Sequence, residues 1–125
     1  MEQGIHIGVQ SEIAGEVAEL IGELTQMERV AISNTGTEAV MTAIRLARTV
    51  TNRNKIALFS GSYHGHFDGT LVEAQGVNGD LHSVSIAPGI PQNIVKDVLV
   101  LDYGNPRSFD NSNRTFWLSF WLHHI

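Results

Sequence analysis

The stretch from Ser33 to Thr51, SNTGTEAVMTAIRLARTVT, constrains the fold of this chain more than any other. It runs from the end of an apolar segment, through a short polar turn with one glycine, into a run of apolar residues with helical spacing. A helix that begins in this way presents unbonded backbone N–H groups and the positive end of a dipole of roughly half a charge. Such a helix start can bind a phosphate group. The stretch therefore predicts a strand, a turn with a candidate anion site, and a helix.

Composition limits the classes of partner. The chain of 125 residues has eight basic and 13 acidic residues and a net charge of −5, and its basic residues do not cluster. That argues against nucleic acid or an anionic membrane surface as a partner. The chain has no cysteine, which excludes disulfides and thiolate metal sites. The sequence shows neither a basic signal-peptide region nor an apolar run near the roughly 20 residues of a membrane span. We expect a globular, cytoplasmic protein.

Apolar spacing predicts two helices and three strands. Ser11 to about Leu24 reads as an amphipathic helix, and Gly36 to Val50 as a helix so apolar that most of its sides should be covered. The predicted buried strands are Arg29–Ser33, Lys55–Phe59 and Asp97–Asp102. A strand, a helix and a strand within about thirty residues form a βαβ unit, which implies a parallel sheet with a right-handed crossover. We read residues 76–92 as a long irregular loop of the kind that is often functional.

Thr35-Gly36-Thr37-Glu38 is the first candidate binding motif. Gly36 lets the backbone approach a ligand closely, and the N–H groups of Gly36 and Thr37 with the threonine hydroxyls are suitable donors to phosphate oxygens. The alternative is purely structural, because Thr35 and Glu38 also form a capping box that satisfies the helix start without a ligand. The sequence lacks both the Walker motif and the glycine pattern typical of dinucleotide binding.

Gly61-Ser62-Tyr63-His64-Gly65-His66 is the second candidate motif, since it follows the strand Lys55–Phe59 at the sheet edge where ligands bind in parallel α/β proteins. Tyr63 can offer a flat face to an aromatic ligand, and His64 can donate or accept a hydrogen bond. Plain turn residues are one alternative. Metal binding by His64 and His66 near Asp68 is another, but this spacing without a third ligand is a weak signal, and we predict no metal. A phosphate site and an aromatic platform together favour pyridoxal phosphate over a mononucleotide.

At these two motifs the chain resembles a known family. NTGTEAVMTAIRLARTVTNRNKI and GSYHGHFDG are similar to the corresponding stretches of class III, fold-type I pyridoxal-phosphate aminotransferases, most nearly those of the glutamate-1-semialdehyde aminomutase group. The resemblance covers roughly Ser11 to Arg107. More narrowly, the chain resembles the aminotransferase domain of cyanobacterial hybrid polyketide–peptide synthetases of the microcystin and nodularin type. The resemblance implies a three-layer α/β sandwich with mainly parallel strands, of which this chain is a partial large domain.

The resemblance also implies roles for particular residues. Thr35, Gly36 and Thr37 match the turn that binds the cofactor phosphate, with Thr35 standing where a serine is usual. Tyr63 matches the aromatic residue that stacks on the pyridine ring, and His64 matches its neighbour in the site. Members of the family are dimers that use pyridoxal phosphate to move an amino group between an amino donor and a carbonyl acceptor, here a small molecule or a carrier-tethered intermediate.

Two functional groups of the family have no match in this sequence. The lysine that forms the Schiff base and the aspartate that pairs with the pyridine nitrogen both lie further downstream in the family. Lys55 and Lys96 are the only lysines here, and neither they nor Asp102 stand in the family's context for these groups. We therefore expect an inactive fragment without catalytic residues of its own, in which residues 1–110 are a partial cofactor-binding domain. Residues 111–125 read as a tail that is disordered or outside the native reading frame.

Three alternatives stay open at this point. An aminomutase uses the same cofactor to move the amino group within one molecule, and nothing in this stretch separates it from a transaminase. A non-catalytic α/β module that binds phosphate or a nucleotide would use the same helix start. A structural part of a megasynthase would have no separate function.

Overall fold

A computed structural model of the chain describes residues 12–77 and 80–106. Both predicted helices are confirmed, as are the strands predicted near Lys55–Phe59 and Asp97–Asp102, each with ends shifted by at most one residue. The expected tail at 111–125 lies outside the described residues. In chain order the elements are α1 (Glu12–Thr25), α2 (Gly36–Thr51), β1 (Ile56–Phe59), β2 (Val72–Val77), β3 (Asp80–Ser85), α3 (Gln92–Val95) and β4 (Val98–Leu101).

The ends of α2 follow from its capping residues, but little of either long helix is buried. The N-cap residue of α2, Thr35, has an extended backbone, and the C-cap residue Asn52 adopts the left-handed conformation with a φ of 53°. Neither α1 nor α2 contains a buried residue. The prediction that α2 is covered on most sides is therefore wrong for this structure: Leu46 is 59% exposed and Val50 81% exposed. No helix in residues 12–77 and 80–106 is long and apolar enough to cross a membrane.

A parallel pair of strands, β1 and β4, sets the orientation of the candidate site. Their register runs from Ile56 opposite Val98 to Phe59 opposite Leu101. The Ser60 N–H extends the pairing beyond β1 by donating to the Leu101 carbonyl at 2.7 Å. Because the strands are parallel, the segments that follow them leave the sheet at the same edge. The predicted α/β class with parallel pairing is confirmed.

The predicted strand Arg29–Ser33 is wrong. These residues are irregular, and both Ala31 and Ile32 are exposed. A short apolar segment becomes a strand only when a neighbouring strand pairs with it, and in the described part of the chain β1 pairs with β4 alone. The βαβ unit predicted across α2 is thus not formed here, and the parallel neighbour of β1 comes from further along the chain.

The irregular loop predicted for residues 76–92 is wrong in its first part, which belongs to a hairpin, whereas residues 86–91 are irregular as predicted. β2 and β3 pair antiparallel, from Val72 opposite Ser85 to Val77 opposite Asp80, and α3 follows. The sequence signal was the Asn-Gly pair at positions 78 and 79, which strongly favours a two-residue hairpin connection.

The core of the described structure is small and lies among the strands. The buried members of its main cluster are valines of β2, α3 and β4, and partly buried residues of β1, β2 and the segment before α3 pack against them. Ser83 of β3 fastens the hairpin to the parallel pair by donating from Oγ to the Val98 carbonyl at 2.6 Å. This core holds the sheet edge from which the second candidate motif extends. The buried valines are Val72, Val95, Val98 and Val100.

Candidate cofactor site

The segment Asn34–Glu38, here named the cap turn, forms the start of α2. The Oγ1 atom of Thr35 accepts a hydrogen bond from the Glu38 N–H at 3.2 Å. The Glu38 carboxylate reaches back to the Asn34 N–H at 2.8 Å, one residue before the N-cap. The cap turn is therefore a capping box shifted by one residue, and its side chains satisfy the backbone donors of residues 34 and 38.

Two backbone N–H groups in the first turn of α2 are not used in capping. Within residues 12–77 and 80–106, neither the Gly36 N–H nor the Thr37 N–H has a hydrogen-bond acceptor. Gly36 is exposed, and a Cβ atom placed on it would have nothing within 4 Å. The structural and the ligand-binding interpretations of this motif are thus compatible, because capping uses different N–H groups from those that would bind an anion.

The segment Gly61–His66, here named the histidine turn, contacts the cap turn directly. The His66 N–H donates to Thr37 Oγ1 at 3.0 Å across 29 positions of sequence. Gly65 has a φ of +94°, and a Cβ atom on it would lie 2.7 Å from Thr37 Oγ1 and 2.8 Å from Thr37 Cα. Only glycine fits between the two turns, for reasons of both backbone conformation and space. The structure thus brings the two predicted motifs together, through Thr37, Gly65 and His66.

The hydrogen bond from His66 also determines which hydrogen-bonding role the Thr37 hydroxyl can take toward a ligand. An N–H group can only donate, so Thr37 Oγ1 accepts from His66 and keeps its own proton for another acceptor. The same holds for Thr35, whose Oγ1 accepts from the Glu38 N–H. The tip of α2 therefore offers two N–H and two O–H donors, which suits a group with several anionic oxygens.

Tyr63 and His64 lie on the outer side of the histidine turn. Tyr63 is 78% exposed, and among the described residues it has no hydrogen bond or ring contact. Its ring face is open to a planar ligand. His64 is half-buried, with Nε2 2.8 Å from Ser62 Oγ. In the described part of the chain no three histidine, aspartate or glutamate residues are grouped as metal ligands.

Comparison with known proteins places these motifs in a family. The model of the aminotransferase class-III family matches residues 2–110. The chain belongs to the class-III aminotransferase family. A protein named glutamate-1-semialdehyde 2,1-aminomutase, from Alkaliphilus metalliredigens, is 42% identical over 106 residues, which are 84% of this chain and 24% of the relative.

Two solved structures resemble the fold of this class-III aminotransferase chain. An omega-transaminase from Sphaerobacter thermophilus superimposes with a TM-score of 0.75 at 31% identity, over 90% of this chain and 27% of that one. A structure described as a transaminase with PLP bound superimposes with a TM-score of 0.73 at 33% identity, over 90% and 26% respectively. The described residues are thus part of a fold-type I α/β domain, and pyridoxal phosphate is the cofactor that these matches support for the family. The chain spans about a quarter of the length of its relatives.

Neither lysine lies at the edge that carries the candidate site of this class-III aminotransferase chain. Lys55 directly precedes β1, and Lys96 lies between α3 and β4. Both therefore stand at the start of a strand, whereas the histidine turn follows the end of β1. Four strand residues separate these edges by roughly 13 Å. Asp102, in contrast, follows the end of β4 and lies on the same edge as Ser60.

Sequence reasoning missed three supporting residues of this site. Gly65 was detectable as a glycine between two histidines, which indicates a backbone that needs a positive φ or a close neighbour. Thr70 is buried, with Oγ1 2.9 Å from the Phe67 carbonyl and 3.3 Å from the Gly65 carbonyl, and it holds the end of this loop. Ser62 contacts His64. Nothing in the sequence alone distinguishes Thr70 or Ser62 from ordinary loop residues.

Proposed function

We propose that this chain is the phosphate- and ring-binding part of the large domain of a pyridoxal-phosphate-dependent transaminase. In this proposal Thr35, Gly36 and Thr37 hold the cofactor phosphate, Tyr63 stacks on the pyridine ring and His64 lies beside the ring. The observation that carries the proposal is the pair of N–H groups at Gly36 and Thr37, which capping leaves without acceptors while the histidine turn holds Thr37 in place.

The residues present fit a phosphate group. The donors stand at the first turn of a 16-residue helix, where the helix dipole favours negative charge. Glu38 is the one acidic residue in that turn, and its carboxylate is bonded to the Asn34 N–H. Hydrogen bonds from N–H and O–H groups to a charged phosphate are stronger than those between neutral groups.

The chemistry divides between the cofactor and the chain. When bound, pyridoxal phosphate supplies a carbonyl group that accepts an amino group and a ring that withdraws electrons from the reacting carbon. The residues of this chain bind the phosphate and orient the ring. Because Lys55 and Lys96 lie at the far edge of the sheet, we propose that the 125-residue chain forms no lysine adduct with the cofactor at this site and has no transaminase activity by itself.

Two finer assignments are included in the proposal. The parent protein transfers an amino group between a donor and a carbonyl acceptor, and the motif resemblance favours a carrier-tethered acceptor in a microcystin- or nodularin-type hybrid synthetase. The alternative is an aminomutase of the glutamate-1-semialdehyde type, which the printed name of the Alkaliphilus relative favours. Product analysis of the parent protein separates them, because a mutase returns one isomerised molecule and a transaminase returns two products.

The proposal also covers how the chain is divided and how the parent protein assembles. Residues 1–110 would be the partial cofactor-binding domain, and residues 111–125 a tail that takes no part in it. The parent protein would be a cytoplasmic homodimer. Measuring the molecular mass of the parent protein in solution tests whether it is a dimer. Truncation after residue 110 tests the role of the tail, because its removal should leave cofactor binding unchanged.

Absorbance titration of the 125-residue chain with pyridoxal phosphate tests the proposal. Thr37→Ala removes a hydroxyl donor to the phosphate and should weaken binding by roughly tenfold or more. Thr49→Ala is the matched control, because it also removes a hydroxyl from α2 but lies about three turns further along.

The titration also separates the competing functions. Tighter binding of a nucleotide than of pyridoxal phosphate would favour the non-catalytic module. Equal affinity of Thr37→Ala and Thr49→Ala for pyridoxal phosphate would contradict the placement of the site. A borohydride-trapped adduct on Lys55 or Lys96 that requires Thr37 would contradict the proposed lack of a lysine adduct.

A further inference from the structure

Ser62 lies between a backbone carbonyl and the side chain of His64. Its Oγ atom is hydrogen-bonded to the Phe59 carbonyl oxygen and lies 2.8 Å from His64 Nε2. A carbonyl oxygen only accepts, and a serine hydroxyl has one proton. Ser62 Oγ therefore donates its proton to the Phe59 carbonyl and has none left for the imidazole.

The direction of the second hydrogen bond follows. Ser62 Oγ can only accept from His64, so Nε2 must carry a proton. We infer that Ser62 is a positioning residue, which holds the His64 ring in place with Nε2 protonated and, in the neutral imidazole, leaves Nδ1 as an acceptor. In the described part of the chain, Nδ1 of His64 has no hydrogen-bond partner.

This arrangement assigns a ligand preference to the position next to Tyr63. An acceptor nitrogen there is complementary to an N–H or O–H donor of a bound molecule and disfavours a second acceptor, such as a carboxylate oxygen. The inference deepens the proposed function, on which the ligand part rests. The state of the His64 ring does not depend on any ligand.

Side-chain NMR of the 125-residue chain tests the state of the ring. Long-range proton–nitrogen spectra at a pH where the histidines are neutral should show His64 protonated on Nε2, with His64→Asn used to assign the signal. In Ser62→Ala the Nε2–H signal should broaden through exchange with water, and a population protonated on Nδ1 should grow. Ser62→Thr keeps the hydroxyl and should restore the original spectrum.

Binding measured on the same variants separates this inference from the proposed function. Ser62→Ala should weaken pyridoxal phosphate binding by roughly two- to tenfold, the effect of one neutral hydrogen bond, and Ser62→Thr should restore it. Ser60→Ala is the matched control, because it removes another exposed hydroxyl from the same loop.

The outcomes are distinguishable. A wild-type His64 protonated on Nδ1, or a Ser62→Ala spectrum identical to wild type, would overturn the inference even if the cofactor binds. An altered His64 spectrum in Ser62→Ala together with unchanged cofactor affinity would overturn the ligand part. Absence of cofactor binding in the wild type would instead count against the proposed function.

Discussion

Residues 12–51, here named the helical half, and residues 56–101, here named the strand half, differ strongly in burial. Every buried valine of the core comes from β2, α3 or β4, and Val95 is only 1% exposed. The helices α1 and α2 contain no buried residue, although their apolar residues recur at helical spacing. Periodicity thus identifies which face of an element is suited to burial, but it does not say whether the described residues supply a neighbour that buries it.

The candidate site lies where the two halves meet. The cap turn belongs to the helical half and the histidine turn to the strand half, and they are joined at Thr37 by the contacts of Gly65 and His66. A site of this kind needs the strand core to hold one turn and local capping to hold the other. The two halves should therefore respond differently to the same kind of substitution.

The largest effect is expected from a charge placed in the strand core. Val100→Asp buries a carboxylate that has no partner among the valines around it, which should cost several kcal/mol and unfold the strand half. Leu46→Asp places the same carboxylate on the exposed face of α2 and should change the free energy of unfolding by about 0.5 kcal/mol or less. Denaturant unfolding of the 125-residue chain measures both.

If Leu46→Asp were as destabilising as Val100→Asp, the contrast between the two halves would be wrong. That result would mean that the apolar face of α2 is covered in solution.

An intermediate effect is expected at the contact between the halves. Gly65→Ala and Gly89→Ala both place a side chain on a backbone with positive φ, +94° and +89°, which costs about 1–2 kcal/mol in each case. Gly89 has open space around it, whereas the new methyl group at Gly65 would collide with Thr37. Gly65→Ala should therefore cost about 1–3 kcal/mol more than its control and should also abolish pyridoxal phosphate binding.

Unfolding curves and absorbance titrations of Gly65→Ala and Gly89→Ala compare their stability and their affinity for pyridoxal phosphate. Equal losses of stability in the two variants, with binding retained in Gly65→Ala, would mean that the two turns are not held together as described.

A smaller effect is expected from the cap turn. Thr35→Ala removes the acceptor for the Glu38 N–H and should cost about 0.5–2 kcal/mol, seen as a loss of helical circular dichroism, because α2 has no core to compensate. Thr49→Ala removes a hydroxyl that bonds only to the Arg45 carbonyl within α2, and it should leave the helical signal nearly unchanged. A Thr35→Ala chain with unaltered helicity would show that packing, not capping, maintains α2.

Local sequence signals predicted most of the structure correctly, with the Asn-Gly pair of the β2–β3 hairpin as the exception, and non-local signals did not. The limits of α2 follow from Thr35, Glu38 and Asn52, and the two candidate motifs were identified from residues close together in sequence. The prediction for Arg29–Ser33 failed because its outcome depends on a distant neighbour: the segment reads as a strand but has no partner strand in the described residues. The contact of Gly65 and His66 with Thr37, across almost thirty positions, was likewise beyond sequence reasoning.

The most direct test of the central claim is a map of backbone amide shifts during titration of the 125-residue chain. Addition of pyridoxal phosphate should shift the amide signals of Gly36 and Thr37 together with those of Tyr63 and His64. Inorganic phosphate should shift only the first pair. Signals of Gly36 and Thr37 that stay unchanged at saturating pyridoxal phosphate, while other parts of the chain respond, would contradict the claim that the tip of α2 holds the cofactor phosphate.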